Sequence, residues 1–321
     1  TSLCSPARAS FLSGRYVHNH NVYANNGVDL AHDVLTYPQH LQAAGYETAF
    51  IGKWHMKNID TPRPGFDRWT AFRGQGFYFD CPLNVDGQSV KAEQYITDEL
   101  NERALAFLRQ KHEKPFLLVL SHKAVHAPFA PAPRHENLYD DIQPESYDDP
   151  DDVMADKPKY IRDAAEKRRG GLPALPSPGK NYLNYMRTLS AVDDGIGAIL
   201  DTLDELGIAQ DTAVIFAGDN GYFFGEHGGL GDKRKPYEEA LRIPLLMRYP
   251  RLGVPEGKRE TALVLNIDLA PTILELAGLP PDPGMDGQSW LGVVAGKAPG
   301  RERFLYEYFE ELKYASSPTS L

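Results

Sequence analysis

The chain has 321 residues, enough for one large α/β domain or two medium ones. It is 42% hydrophobic and 24% charged, and no apolar run approaches the ~20 residues of a membrane span. Its net charge of −10 argues against non-specific nucleic-acid binding, and two cysteines, Cys4 and Cys81, are too few for a disulfide scaffold. An acidic total still permits an anionic ligand, because local groups of Lys, Arg and His act inside it.

Strand-like apolar runs alternate with helical patterns, which predicts a mostly parallel sheet flanked by helices. Pro6 suits the first turn of a helix and Gly14 its end, which puts Cys4 at a helix N-terminus and Arg8 one turn on, on the same face. Tyr37 to Ala44 reads as a helix closed by Gly45, followed by a short strand over Glu47 to Gly52. Ala92 to Lys111 carries apolar residues at helical spacing, and Pro115 to Leu120 reads as a buried strand. Residues 130–180 are rich in Pro, Asp, Lys, Arg and Gly without periodicity and are expected to form a long insertion loop. Tyr182 to Leu206 is the longest amphipathic helix. Another buried strand follows at Thr212 to Ala217, and one more strand at Ile243 to Tyr249, near an edge or a strand start because of Pro244. Ile267 to Ala277 is a helix ended by Gly278.

The chemistry-bearing residues fall just after these strands, where open α/β sheets place their sites. Gly52-Lys53-Trp54-His55 follows the first strand, and Lys53 and His55 share a face if the chain stays extended. Ser121-His122-Lys123-Ala124-Val125-His126 brings two His and one Lys together after the next strand, a suitable anion and acid–base group. Gly218-Asp219-Asn220-Gly221 reads as a turn, and its Asp and Asn oxygens are hard ligands suited to calcium. Asp232-Lys233-Arg234-Lys235 is a basic run of the kind that is usually a solvated face.

Cys4-Ser5-Pro6-Ala7-Arg8, running into Leu12-Ser13-Gly14-Arg15, resembles the signature of the formylglycine-dependent sulfatases. The later clusters come in that family's order from residue 4 to residue 244. The resemblance implies an alkaline-phosphatase-like α/β sandwich and the calcium-assisted hydrolysis of a sulfate monoester through a formylglycine–sulfate intermediate. It implies that Cys4 is oxidised to formylglycine and that Arg8 anchors it. It makes Lys53 and Lys233 sulfate ligands, His55 a base and His126 the general acid. Calcium would be held by Asp219, Asn220 and the oxygens at position 4. The implied partners are a sulfated carbohydrate and a formylglycine-generating or anaerobic sulfatase-maturating enzyme, and the implied location is periplasmic or extracellular. Tyr16-Val17-His18-Asn19-His20 is similar to N-acetylglucosamine-6-sulfatases and related glycan sulfatases, which makes His18 and His20 candidates to face a sugar. His122, Lys123 and His227 are candidate neighbours of the site.

Both ends look cut. The family's pair of adjacent Asp ligands precedes the Cys motif, and this sequence begins three residues before Cys4. The first strand and the C-terminal subdomain are therefore expected to lie outside the 321 residues, which would read as one catalytic domain truncated at both ends. Two other readings stay open: a phosphonate or phosphate monoester hydrolase on the same fold, and a non-catalytic protein that binds sulfated glycans.

Overall fold

The computed structural model describes residues 1–25, 27–143, 154–163 and 178–309. Residues 144–153 and 164–177 of the expected insertion lie outside the described residues. The five longer helices are α1 (Cys4–Ser13), α2 (Tyr37–Ala43), α3 (Ile96–Leu108), α4 (Pro178–Glu205) and α5 (Leu269–Leu276). The strands are β1 (Glu47–Lys53), β2 (Arg68–Phe72), β3 (Pro82–Val85), β4 (Gln88–Lys91), β5 (Phe116–Ser121), β6 (Val214–Ala217), β7 (Phe223–Phe224), β8 (Gly231–Asp232) and β9 (Leu245–Arg248).

The main sheet is mixed, in the order β4-β3-β2-β1-β5. Its centre is parallel: β1 pairs with β2 on one side and β5 on the other, while β3 and β4 continue antiparallel. Strands buried on both faces read as continuous apolar runs, and β1 is one. β5 and β6 carry the same kind of apolar run but are half-buried along their length, where the sequence predicted buried strands. Alternation divides the core. Phe50 of β1 packs on one face with Trp54, Trp69, Leu12 of α1, Leu41 of α2 and Leu274 of α5. Ile51 packs on the other with Phe72, Leu83, Ile96 and Leu100 of α3, and Ala191 of α4. Phe50 stacks on Trp69 at 4.7 Å between ring centres, and Trp54 meets both rings edge-on.

The predicted helix at Ala92 to Lys111 is shorter at its start, because residues 88–91 are taken by β4 and Tyr95 is the residue before the first turn. The β2–β3–β4 meander was not predicted, since its strands are short and broken by Gly, Pro and Asp. β9 begins immediately after Pro244, as its position requires, and pairs antiparallel with β6 alone. β7 and β8 form a third, two-stranded piece. Leu117 to Leu120 of β5 and Val214 to Ala217 of β6 line one cavity of about 1880 Å³, which also reaches Arg8, Lys53 and Lys233.

Candidate active site

α1 begins at Cys4 and ends at Gly14, whose left-handed conformation (φ 66°) lets its N–H return to the Ser10 carbonyl. Cys4 is fully buried at the first helical position. The next N–H, of Ser5, donates to Asn25 Oδ1 at 2.9 Å, so a side chain from another segment holds the helix start. Arg8 is one turn along and spreads its guanidinium over four partners. Its Nε donates to the Trp54 carbonyl at 3.1 Å and its Nη1 to Asp219 Oδ2 at 3.2 Å, while Nη2 reaches the Lys53 carbonyl and Ser121 Oγ. One residue thereby ties α1 to the ends of β1, β5 and β6.

β1 delivers Lys53 to the same point. A Cβ on Gly52 would sit 1.9 Å from the Ser121 carbonyl oxygen, so only glycine lets β1 and β5 approach here. Beyond Lys53 the chain does not stay extended, because His55 adopts φ 62° and is fully buried. That left-handed turn is strained for a non-glycine residue. It is held by Ser5 Oγ, which donates to the His55 carbonyl at 2.5 Å. The His55 ring faces the Cys4 sulfur and has no other hydrogen-bond partner.

β6 leads into Asp219 and Asn220. A Cβ on Gly221 would lie 1.9 Å from the Glu239 carbonyl oxygen, which makes glycine necessary for this turn. Asn220 Nδ2 donates to the Gly221 carbonyl at 2.9 Å, and its Oδ1 is buried without a partner. A buried carbonyl oxygen with no donor is a ready cation ligand, and Asp219 beside it adds a carboxylate. These two oxygens fit part of a calcium shell. Among the described residues no group of three or more His, Cys, Asp or Glu converges, so they supply a fraction of the six to eight oxygens calcium takes.

Lys233 follows β8 and is buried, with its Nζ donating to Cys4 Sγ at 2.9 Å. The sulfur stands where a reactive oxygen at position 4 would stand. Burial raises a thiol's pKa, but here the ammonium groups of Lys53 and Lys233, aided by His126 and His55, outweigh it and hold Cys4 well below the usual thiol range. Burial lowers Lys53 from the usual lysine value; it acts the same way on Lys233, but Cys4 and Asp219 hold that ammonium above the usual value. Burial also lowers His55 to about 4, which leaves its ring neutral near pH 7. His126 lines the cavity, and its Nδ1–H donates to the Ala127 carbonyl at 2.7 Å. Its own carbonyl accepts from the Tyr78 hydroxyl at 2.7 Å.

Cys4, Arg8, Lys53, His55, His126, Asp219, Asn220 and Lys233 therefore converge. Other sequence candidates do not. His20 is buried, accepts the Val22 N–H at Nδ1 (3.0 Å) and donates from Nε2 to Ser10 Oγ (3.1 Å), so it is a structural residue. His18 is exposed and pairs with Glu307 at 2.6 Å. His122 lines the cavity, but its Nε2 is bonded to Asn101 Oδ1 on α3 (2.7 Å). His227 pairs with Glu239 at 3.1 Å and stacks on Tyr237. Tyr78, Ser121 and Asn25 were missed as site residues. Ser121 carried a signal, its place at the end of β5, whereas Tyr78 and Asn25 had none.

A cluster of buried cations around a thiol at a helix start, at the carboxyl ends of the parallel strands, forms an anion-binding site on an α/β scaffold. The sulfatase family profile matches residues 1–279, and the chain belongs to the sulfatase family. It is 32% identical to the N-acetylglucosamine-6-O-sulfatase of Bacteroides thetaiotaomicron, over 96% of this chain and 66% of that protein. It is 30% identical to the N-acetylglucosamine-6-sulfatase of Capra hircus, over 99% of this chain and 61% of that protein. An extracellular sulfatase homolog of Drosophila melanogaster matches at 32% identity over 92% of this chain and 28% of its own length. The chain thus spans less than two thirds of these curated relatives. A solved structure in complex with its substrate, D-glucosamine-2-N,6-O-disulfate, superposes with a TM-score of 0.81 at 30% identity, covering 97% of this chain and 75% of that one. A phosphonate monoester hydrolase of Silicibacter pomeroyi shares the fold (TM-score 0.76, 24% identity, 94% of this chain and 69% of that one).

Proposed function

We propose that the protein hydrolyses a sulfate monoester carried by a carbohydrate, with position 4 as formylglycine and calcium as its metal. The observation that carries this reading is the 2.9 Å contact of Lys233 with Cys4, beside a second buried ammonium at Lys53. Two buried cations facing one nucleophile position are suited to a group that arrives as an anion and gains charge during transfer.

A formylglycine at position 4 supplies, as its hydrate, one oxygen to attack sulfur and a second hydroxyl from which the aldehyde re-forms and sulfate is expelled. Asp219 and Asn220 Oδ1 would hold a calcium ion together with the oxygens at position 4, and the ion would supply positive charge for that attack. The other steps belong to side chains of this chain. Lys53 and Lys233 neutralise the non-bridging sulfate oxygens. Arg8 holds Asp219 in place and fixes the carbonyls that follow β1. His126 delivers a proton to the leaving oxygen, with its Nδ1–H already committed to the Ala127 carbonyl. His55, whose ring faces position 4, takes the proton released there.

A carbohydrate substrate is supported by the aromatic wall beside the cluster. Phe129, Tyr185 and Tyr222 line the cavity, and Phe129 meets the two tyrosines at 5.7 and 5.8 Å between ring centres. Apolar faces with a few convergent polar groups suit a sugar ring that carries one sulfate. The N-acetylglucosamine-6-sulfatase relatives support a 6-sulfated hexosamine. The extracellular relative supports a periplasmic or extracellular location, and no described helix is long and apolar enough to cross a membrane. A formylglycine-generating or anaerobic sulfatase-maturating enzyme would act first. The 321 residues are read as one catalytic unit with residues 130–180 as an excursion from it.

The test is a comparison of initial rates on an aryl sulfate, an aryl phosphate and 6-O-sulfated N-acetylglucosamine, using protein co-expressed with a maturating enzyme. Sulfate release from the sugar, well above phosphate release, is expected. Preference for the phosphate would contradict the reading.

A further inference from the structure

Three lysines surround the cavity near position 4, and their ammonium groups are engaged differently. Lys233 bonds to Cys4, and Lys53 is close enough to both Cys4 and Asp219 for each to favour its charged form. Lys123 is only 3% exposed yet lines the cavity, and its Nζ lies 4.6 Å from the centre of the Tyr78 ring. Among the described residues no carboxylate pairs with Lys123, and its ammonium donates no hydrogen bond. A buried charge without a counter-ion is costly, and a cation–π contact, worth roughly 2 kcal/mol when desolvated, offsets only part of that.

The surroundings hold this ammonium in place. The Tyr78 ring stacks on Tyr95 at 5.6 Å, and the Tyr95 hydroxyl donates to the Ala130 carbonyl at 2.8 Å. Tyr78 also donates to the His126 carbonyl, and the His126 N–H donates to the Lys123 carbonyl at 3.0 Å. Lys123, Tyr78 and the His126 loop therefore form one braced unit, with its charge facing the same space as Lys53 and Lys233. Apart from the Tyr78 ring, no side chain among those described is bonded to that ammonium, and the cavity it faces is where the substrate anion is read to sit.

We propose that Lys123 is a substrate-binding residue whose ammonium holds an anionic oxygen of the substrate, in addition to those met by Lys53 and Lys233. The identity of the substrate rests on the sulfate-ester reading above; the anion-binding role does not. The oxygen has two sources, the scissile sulfate itself or a second acidic substituent on the sugar.

Calorimetry on the full chain in a Cys4→Ala background separates them, since no turnover occurs there. The probes are inorganic sulfate and glucosamine carrying one or two sulfate groups. Lys123→Met keeps the aliphatic stem on Tyr78 and removes the charge. A loss of about tenfold in affinity for inorganic sulfate assigns Lys123 to the scissile group. The same loss confined to the doubly sulfated sugar assigns it to the second substituent. Lys123→Arg should recover most of the affinity, and the melting temperature of Lys123→Met should equal or exceed the parent's, because an unpaired buried charge has been removed. Unchanged affinities for all probes, an absence of sulfate binding by the parent, or a lowered melting temperature with intact binding overturns the proposal. If Lys123 governs sulfate binding while the matured protein releases no sulfate from esters, the reaction reading fails and this inference stands.

Discussion

Cys4, Arg8, Lys53 and His55 stand on α1 and the end of β1, whereas Asp219, Asn220 and Lys233 stand around β6 and β8. The first set rests on a sheet with helices on both faces, where Phe50, Trp69 and Leu12 are buried. The second rests on two-stranded pieces in which β6 is only half-buried and Leu246 of β9 is 60% exposed. The two supports meet through Arg8–Asp219 and Lys233–Cys4, contacts between residues 211 and 229 positions apart in sequence. The Cys4 end is thus built into the core, and the Asp219–Lys233 end is held to it by charge.

The widest test of this contrast is removal of the centre both halves share. Cys4→Ala should reduce sulfate-ester turnover by at least about three orders of magnitude while leaving the melting curve nearly unchanged. A variant retaining a tenth of the activity would remove position 4 from the chemistry. Next, the supports themselves should differ. Trp69→Ala, in the core under β1, should cost about 3–5 kcal/mol in denaturant unfolding, and Leu246→Ala about 0.5 kcal/mol or less. Similar costs would mean that the two regions are equally built in. Third, Lys53→Ala and Lys233→Ala should each lower kcat by about 10²–10³ despite their different supports, because each faces the same anion. If Lys233→Ala lowers stability but not kcat, its contact with Cys4 is structural.

A smaller effect is expected with pH. Burial holds His20 and His122 at about 4, below their unfolded value near 6.5. Between those values the unfolded chain binds the protons that the folded chain refuses. Stability should therefore fall as pH drops from about 6.5 to about 4, by roughly 1.4 kcal/mol per pH unit for each group, and level off below. Unfolding midpoints measured for His122→Asn across this range should show a shallower fall. An unchanged slope would show that His122 is not the group responsible.

Much of the site was legible because its residues come in short runs directly after strands: Lys53 and His55 after β1, His126 after β5, and Asp219 and Asn220 after β6. Strands β1 and β5 announced themselves as continuous apolar runs. What stayed hidden depends on three-dimensional neighbours. His20 has the same composition signal as His18, and only burial between Ser10 and Val22 separates a structural histidine from an exposed one. Lys53 and His55 were read as sharing a face of an extended segment. They reach the same centre instead through the left-handed turn at His55, which local spacing does not reveal. Tyr78 lies in a connection between short strands that carried no periodic pattern.

The most direct measurement is the mass of the peptide carrying residue 4 after co-expression with a maturating enzyme. Conversion of the thiol to an aldehyde makes that peptide about 18 Da lighter, and the account predicts this species in the folded protein. An unmodified Cys4 in every molecule, under conditions where a known sulfatase is matured, would contradict it.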